Sequence, residues 1–103
     1  MNKIVLTLQL EKEFTPDNYA GIYRLLKNCQ NALIGDNAFV ISTQLSTSVI
    51  IDQIKPHLVK GEFAFAFTVQ PPMNCFAPIH FHEKVAKVLG DETSFSDTAQ
   101  PAS

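Results

Sequence analysis

Residues 62–69 read EFAFAFTV, and the strict alternation of phenylalanine with a small side chain decides how the surrounding chain is read. A strand sends successive side chains to opposite faces, whereas a helix would scatter the three rings around its axis, so the segment is a strand. Pro71 and Pro72 end it, because neither can donate to a ladder and the pair holds the preceding backbone extended. Just upstream, Lys60 and Gly61 separate it from a stretch in which Ile50, Ile54 and Leu58 recur every four residues behind Ser46, a residue suited to capping a helix N-terminus. Pro56 predicts a bend or stop in that helix, since it removes a backbone donor and crowds the carbonyl of Asp52.

Further toward the N-terminus, Ala32-Leu33-Ile34 and residues 38–43 read as two short strands joined at Gly35-Asp36-Asn37, residues that tolerate positive φ. Before them Tyr19, Ile22, Tyr23, Leu26 and Cys29 recur at helical steps behind Thr15, Pro16 and Asp17, which supply a capping hydroxyl, a proline for the first turn and an acid for the positive helix end. Residues 3–11 alternate, with Ile4, Leu6, Leu8 and Leu10 on one side, and make the first strand. The order strand, helix, strand, strand, helix, strand is the split βαβ arrangement: an α+β, ferredoxin-like βαββαβ fold with a four-stranded antiparallel sheet and two helices on one face. Beyond it, Glu83 to Leu89 predicts a short helix closed by Gly90, and residues 91–103, acidic and small apart from Phe95, read as disordered. The expected organisation is a core over 1–70, an extension over 71–90 packed on the core or on a partner, and a tail over 91–103.

If Leu6, Leu8, Phe63, Phe65 and Phe67 lie under the helices, where burial of each side chain is worth roughly 1.5–3 kcal/mol, the pleat assigns Val5, Thr7, Gln9, Val40, Ser42, Ala64, Ala66 and Thr68 to the opposite face. None of these is charged, which marks that face as an expected interface between two copies. Stacking aromatics and cations, the equipment of an RNA-binding sheet face, are missing from the set. Composition agrees with a protein partner: 46% of residues are hydrophobic and only 17% charged, a thin charged coat over an ordinary apolar load. A formal charge of −2 supplies no net field for nucleic acid. The two cysteines, Cys29 and Cys75, exclude a disulfide framework and zinc-finger spacing and suit a reducing, cytoplasmic setting. Gln9, Glu11, Lys12 and Glu13 cut the first apolar run far below membrane or secretory length, so no membrane partner is expected.

The segments AFVIST (38–43), STSVIIDQIKPHL (46–58) and EFAFAFTV (62–69) resemble the small bacterial SinR-family proteins, which look like relatives of the CRISPR-associated endoribonucleases of the Cas-two type. The resemblance covers roughly residues 3–70 and implies a ferredoxin-like homodimer. It also implies an aspartate at the end of the first strand, where carboxylates of two subunits would share a divalent cation for phosphodiester hydrolysis. The corresponding stretch here is Thr7-Leu8-Gln9-Leu10, without an aspartate, and an amide cannot supply the charge Mg²⁺ demands. Glu11 and Glu13 stand at or past the strand end.

His80, His82 and Glu83, with Cys75 upstream and His57 elsewhere, are the one cluster of ligand-type residues in the sequence. On a strand the two histidines would share a face, as a metal site requires; on a helix they would diverge. Four glycines, and no Ser-His-Asp order or nucleotide loop, leave no catalytic residue, cofactor or small-molecule substrate to name. Three functions compete: a non-catalytic homodimeric interaction or scaffold protein, a metal-dependent nuclease or nucleic-acid binder, and a small histidine-based metal-binding protein.

Overall fold

A computed structural model describes residues 1–70, 73–77, 79–90 and 93–97. Its first part carries β1 (Asn2–Gln9), α1 (Ala20–Lys27), β2 (Gln30–Gly35), β3 (Ala38–Thr43), α2 (Thr47–Ile54) and β4 (Phe63–Thr68). The strands form one antiparallel sheet in the order β2-β3-β1-β4, so each helix carries the chain across a strand that lies between the two it connects. This is the expected α+β, βαββαβ architecture.

Local chemistry accounts for most element boundaries. Ser46 caps α2 by accepting the Val49 N–H at 3.3 Å, and α2 gives way at Lys55 to a 3-10 turn, Lys55–His57, built around Pro56. Thr15 closes a turn rather than starting the helix: its carbonyl accepts from the Tyr19 N–H at 2.9 Å and its hydroxyl from the Asn18 N–H at 3.2 Å. Tyr19 then leaves helical geometry (φ −137°, ψ 54°), which delays α1 to Ala20. Asn37 takes φ 56° in the β2–β3 turn, as an asparagine tolerates.

Ile4, Leu6 and Leu8 of β1 and Phe39 and Ile41 of β3 meet Ile22, Leu25 and Leu26 of α1 and Ile50 and Ile54 of α2 in the main core, with Tyr19 at its edge. A second, smaller core lies on the other sheet face. There α3 (Ile79–Leu89) lays Val85, Val88 and Leu89 over Ala32 and Val40, with Val5 and Val69 at the margin. Lys3 fastens α3 in place, its Nζ donating to the Val88 carbonyl at 2.8 Å and to Ser42 Oγ at 2.9 Å, a cation at the negative end of the helix. Gly90, at φ 91°, closes α3 with its N–H on the Ala86 carbonyl at 2.7 Å.

The C-terminal part departs from the sequence reading in three ways. α3 begins four residues before Glu83, and β5 (Met73–Ala77) precedes it where no element is expected. Residues 93–97, read from composition as disordered tail, form β6 (Thr93–Asp97), which pairs in parallel with β5. The connection from β5 through α3 to β6 is a βαβ unit, and non-local pairing of this kind leaves no mark in local composition. Residues 91, 92 and 98–103 of the expected tail lie outside the described residues.

The largest correction concerns β4. Its register sets Leu6 opposite Ala66 and Leu8 opposite Ala64, while Val5 faces Phe67, Thr7 faces Phe65 and Gln9 faces Phe63. Residues opposite one another in an antiparallel pair share a face, so Ala64, Ala66 and Thr68 lie on the helix-bearing side. Phe63, Phe65 and Phe67, expected under the helices, stand on the open side instead. The physical reason is space: α2 packs its fully buried Ile50 and Ile54 against a core already filled by the leucines of β1, and the alanines of β4 fit beneath it.

Candidate interaction surface

A large–small alternation states that a strand has two unlike faces without saying which is inside. In β4 the outside one is aromatic. Phe63, Phe65 and Phe67 remain 52%, 53% and 55% exposed. Their rings form a continuous row, with Phe63 and Phe65 edge-to-face at 5.8 Å and Phe65 and Phe67 stacked at 6.1 Å with an interplanar angle of 5°. Both spacings lie in the range aromatic pairs favour. Beside the row, on the same face, run Val5, Thr7 and Gln9 of β1. Beyond β1, α3 covers the sheet.

α3 also sorts the residues expected at an interface. Val40 is buried beneath it, and Ser42 is buried with its hydroxyl taken by Lys3. Ala64 and Ala66 pack on the main core under the helices. Thr7 and Gln9 keep their place on the open part of the face, with Val5 at the margin of the α3 contact. The three phenylalanines are the surface residues that sequence reasoning missed. A usable signal was present in the demand of two leucines and two isoleucines for the same volume, which only a small-residue face of β4 leaves free.

The edge position of β4 adds a second property. β1 pairs with one side of it, and among the described residues no strand pairs with the other. The Val69 N–H donates to the Lys3 carbonyl at 2.8 Å, which turns that residue's backbone toward β1. Strand alternation then directs the peptide groups of Phe63, Phe65 and Phe67 toward β1 and those of Ala64, Ala66 and Thr68 outward. The outer edge holds no proline and no charge over Phe63–Thr68, the usual protections against strand pairing.

Just before β4, Glu62 ties three elements together. Its carboxylate accepts from the Tyr19 hydroxyl, from the Glu11 N–H at 2.9 Å and from the Val59 N–H at 2.7 Å, while the Tyr19 oxygen accepts from the Lys12 N–H at 3.1 Å. These donors, the Tyr19 hydroxyl first, hold the Glu62 carboxyl below its usual range, and burial, reinforced by the bond to Glu62, pushes the Tyr19 phenol up. Glu11, at the end of the first strand, lies in the bend after β1 with its backbone N–H held by Glu62. Gly61, at φ 91°, makes the turn that places Glu62, and a Cβ there would come within 2.7 Å of Glu11 Oε1.

Of the remaining candidates, His80 and His82 both fall within α3, where positions two apart lie about 200° around the axis. The His80 ring lies 4.5 Å from that of Phe81. His57 rests on the α1 backbone at Gly21, where any Cβ would collide with the imidazole. Among the described residues, no three or more His, Cys, Asp or Glu side chains gather as a metal site would need, and no helix is long and apolar enough to cross a membrane. Comparison of the chain with family models, curated proteins and solved structures finds no match.

Proposed function

We propose that the chain is a non-catalytic interaction module that works as a homodimer, with the phenylalanine row of β4 as its docking surface. The observation that carries this is three consecutive same-face phenylalanines, each about half exposed, on an edge strand. Contiguous apolar surface of this kind, bordered by a polar residue such as Gln9, marks a contact site in a folded protein. No charge stands between the rings or on the Val5–Thr7–Gln9 track beside them, so docking strips water from no unpaired ion.

Light scattering and sedimentation on the full chain test the proposal, with a dimer mass expected at high micromolar concentration. Phe65→Ser should shift that mass toward the monomer and leave the far-ultraviolet circular dichroism unchanged. A monomer mass for the unmodified protein at high micromolar concentration would sink the proposal. Stacked rings on a sheet face are also a platform on which single-stranded RNA lays its bases. A monomer that binds an RNA oligonucleotide tightly, and loses it in Phe65→Ser, would put nucleic acid in place of the second copy.

A further inference from the structure

From the edge geometry of β4 we infer that two copies join strand to strand, β4 against β4, antiparallel about a two-fold axis at Phe65, to make one eight-stranded sheet. This deepens the homodimer proposal by specifying its pairing, and it rests on that proposal. Three observations converge on it. The first is the sequence of the strand: residues 63–67 read FAFAF, the same in both directions about Phe65. A two-fold axis there matches like with like, setting Phe65 against Phe65, Phe63 against the partner's Phe67, and Ala64 against the partner's Ala66.

The second is the phase of the free backbone groups. Ala64 and Ala66 direct their N–H and C=O groups outward, as the Val69 to Lys3 hydrogen bond requires. In the proposed register these two residues exchange both hydrogen bonds with the partner's Ala66 and Ala64. Phe65 then forms the non-hydrogen-bonded pair on the axis, the kind in which side chains approach most closely. A slip by one residue would put the aromatic face of one copy beside the alanine face of the other. A slip that keeps the faces and moves the axis to Ala66 would match Phe63 with Val69 and leave two phenylalanine pairs in place of three.

The third is charge and area. Phe63–Thr68 contains no charged residue, so the antiparallel match opposes no like charges. Three rings about half exposed offer at most on the order of 300 Å² per copy, taking 150–250 Å² for a whole aromatic side chain. That is well under the roughly 800 Å² per partner of a standard interface, so the backbone ladder has to supply the rest and the dimer is a modest one, dissociating in the micromolar range.

Disulfide trapping reads the register directly. In full-length protein with Cys29→Ala and Cys75→Ser, a single Phe65→Cys should give a covalent dimer on mild oxidation. The two axial thiols belong to a pair with Cα atoms about 4.5 Å apart, inside the range a disulfide spans. Phe63→Cys alone should not cross-link, because its copies lie four residues apart along the ladder, about 13 Å. The double variant Phe63→Cys, Phe67→Cys keeps the central ring and should cross-link through both outer pairs, which guards against loss of the dimer when Phe65 is removed. If the unmodified protein is a dimer and neither Phe65→Cys nor the double variant cross-links, or Ala66→Cys does so instead, the β4 pairing is wrong while the homodimer proposal stands. A monomeric unmodified protein overturns both.

Discussion

Phe65 and Leu6 are large apolar side chains on neighbouring strands of one sheet, yet they face opposite environments, and their substitutions separate cleanly. Leu6 is fully buried, so Leu6→Ala removes packed volume from the main core and should cost about 2–5 kcal/mol. Phe65 is half exposed, and Phe65→Ala should cost the monomer about 0.5 kcal/mol or less, the range of surface changes. Urea denaturation at low protein concentration compares the two; a Phe65→Ala loss as large as that of Leu6→Ala would contradict the outward face. Ala66→Glu, by contrast, drives a carboxylate under α2 and should unfold the protein rather than merely dissociate it. Glu62 supplies a pH signature. Its carboxyl is depressed in the folded state, so it stabilises fully above its unfolded value of 4.5 and loses that contribution as pH falls through the lower folded value. Glu62→Gln should therefore flatten the decline of the urea midpoint as pH falls below that unfolded value, where the unmodified protein weakens.

At the scale of elements, α2 and α3 depend on different devices. α2 has only eight residues, too short to persist alone, and its Ser46 cap satisfies an N–H that would otherwise lack a partner. Ser46→Ala should cost about 1 kcal/mol, read as a lower denaturation midpoint with unchanged slope. α3 is held instead by Val85, Val88 and Leu89 on the second core and by Lys3 at its C-terminal end. Val88 is 1% exposed, so Val88→Asp should detach α3 and expose Val40 and Ala32 while the four-stranded sheet with α1 and α2 persists. Hydrogen exchange would show this as faster exchange in β2 and α3 with protection kept in β1. Equal loss of protection throughout would mean that the two cores are one cooperative unit.

For the whole molecule, α3 covers one half of the open sheet face and leaves the β4 half bare, so folding within one chain finishes the first half only. A dimer completed through β4 should make thermal stability depend on protein concentration, because mass action favours the associated folded state. The melting midpoint should rise with concentration in the unmodified protein and stay constant in Phe65→Ser. A midpoint independent of concentration in both would leave the aromatic row without a second copy to pair with it.

The elements of the βαββαβ core were legible in the chain because each rests on local chemistry: the alternation of residues 62–69, the four-residue repeat behind Ser46, the stop at Pro56 and the turn at Asp36 and Asn37. β5, β6 and the first turn of α3 were not, since a parallel βαβ unit is defined by pairing between distant residues. The candidate surface was legible by half. Residues 63–67 announce one aromatic face and one alanine face, and that pattern reads the same whichever face is buried. Only the register of β4 on β1, with Leu6 beside Ala66 and Val5 beside Phe67, decided the matter. The deciding force is volume competition under α2, a property of three elements packed together that no one of them carries in its own sequence.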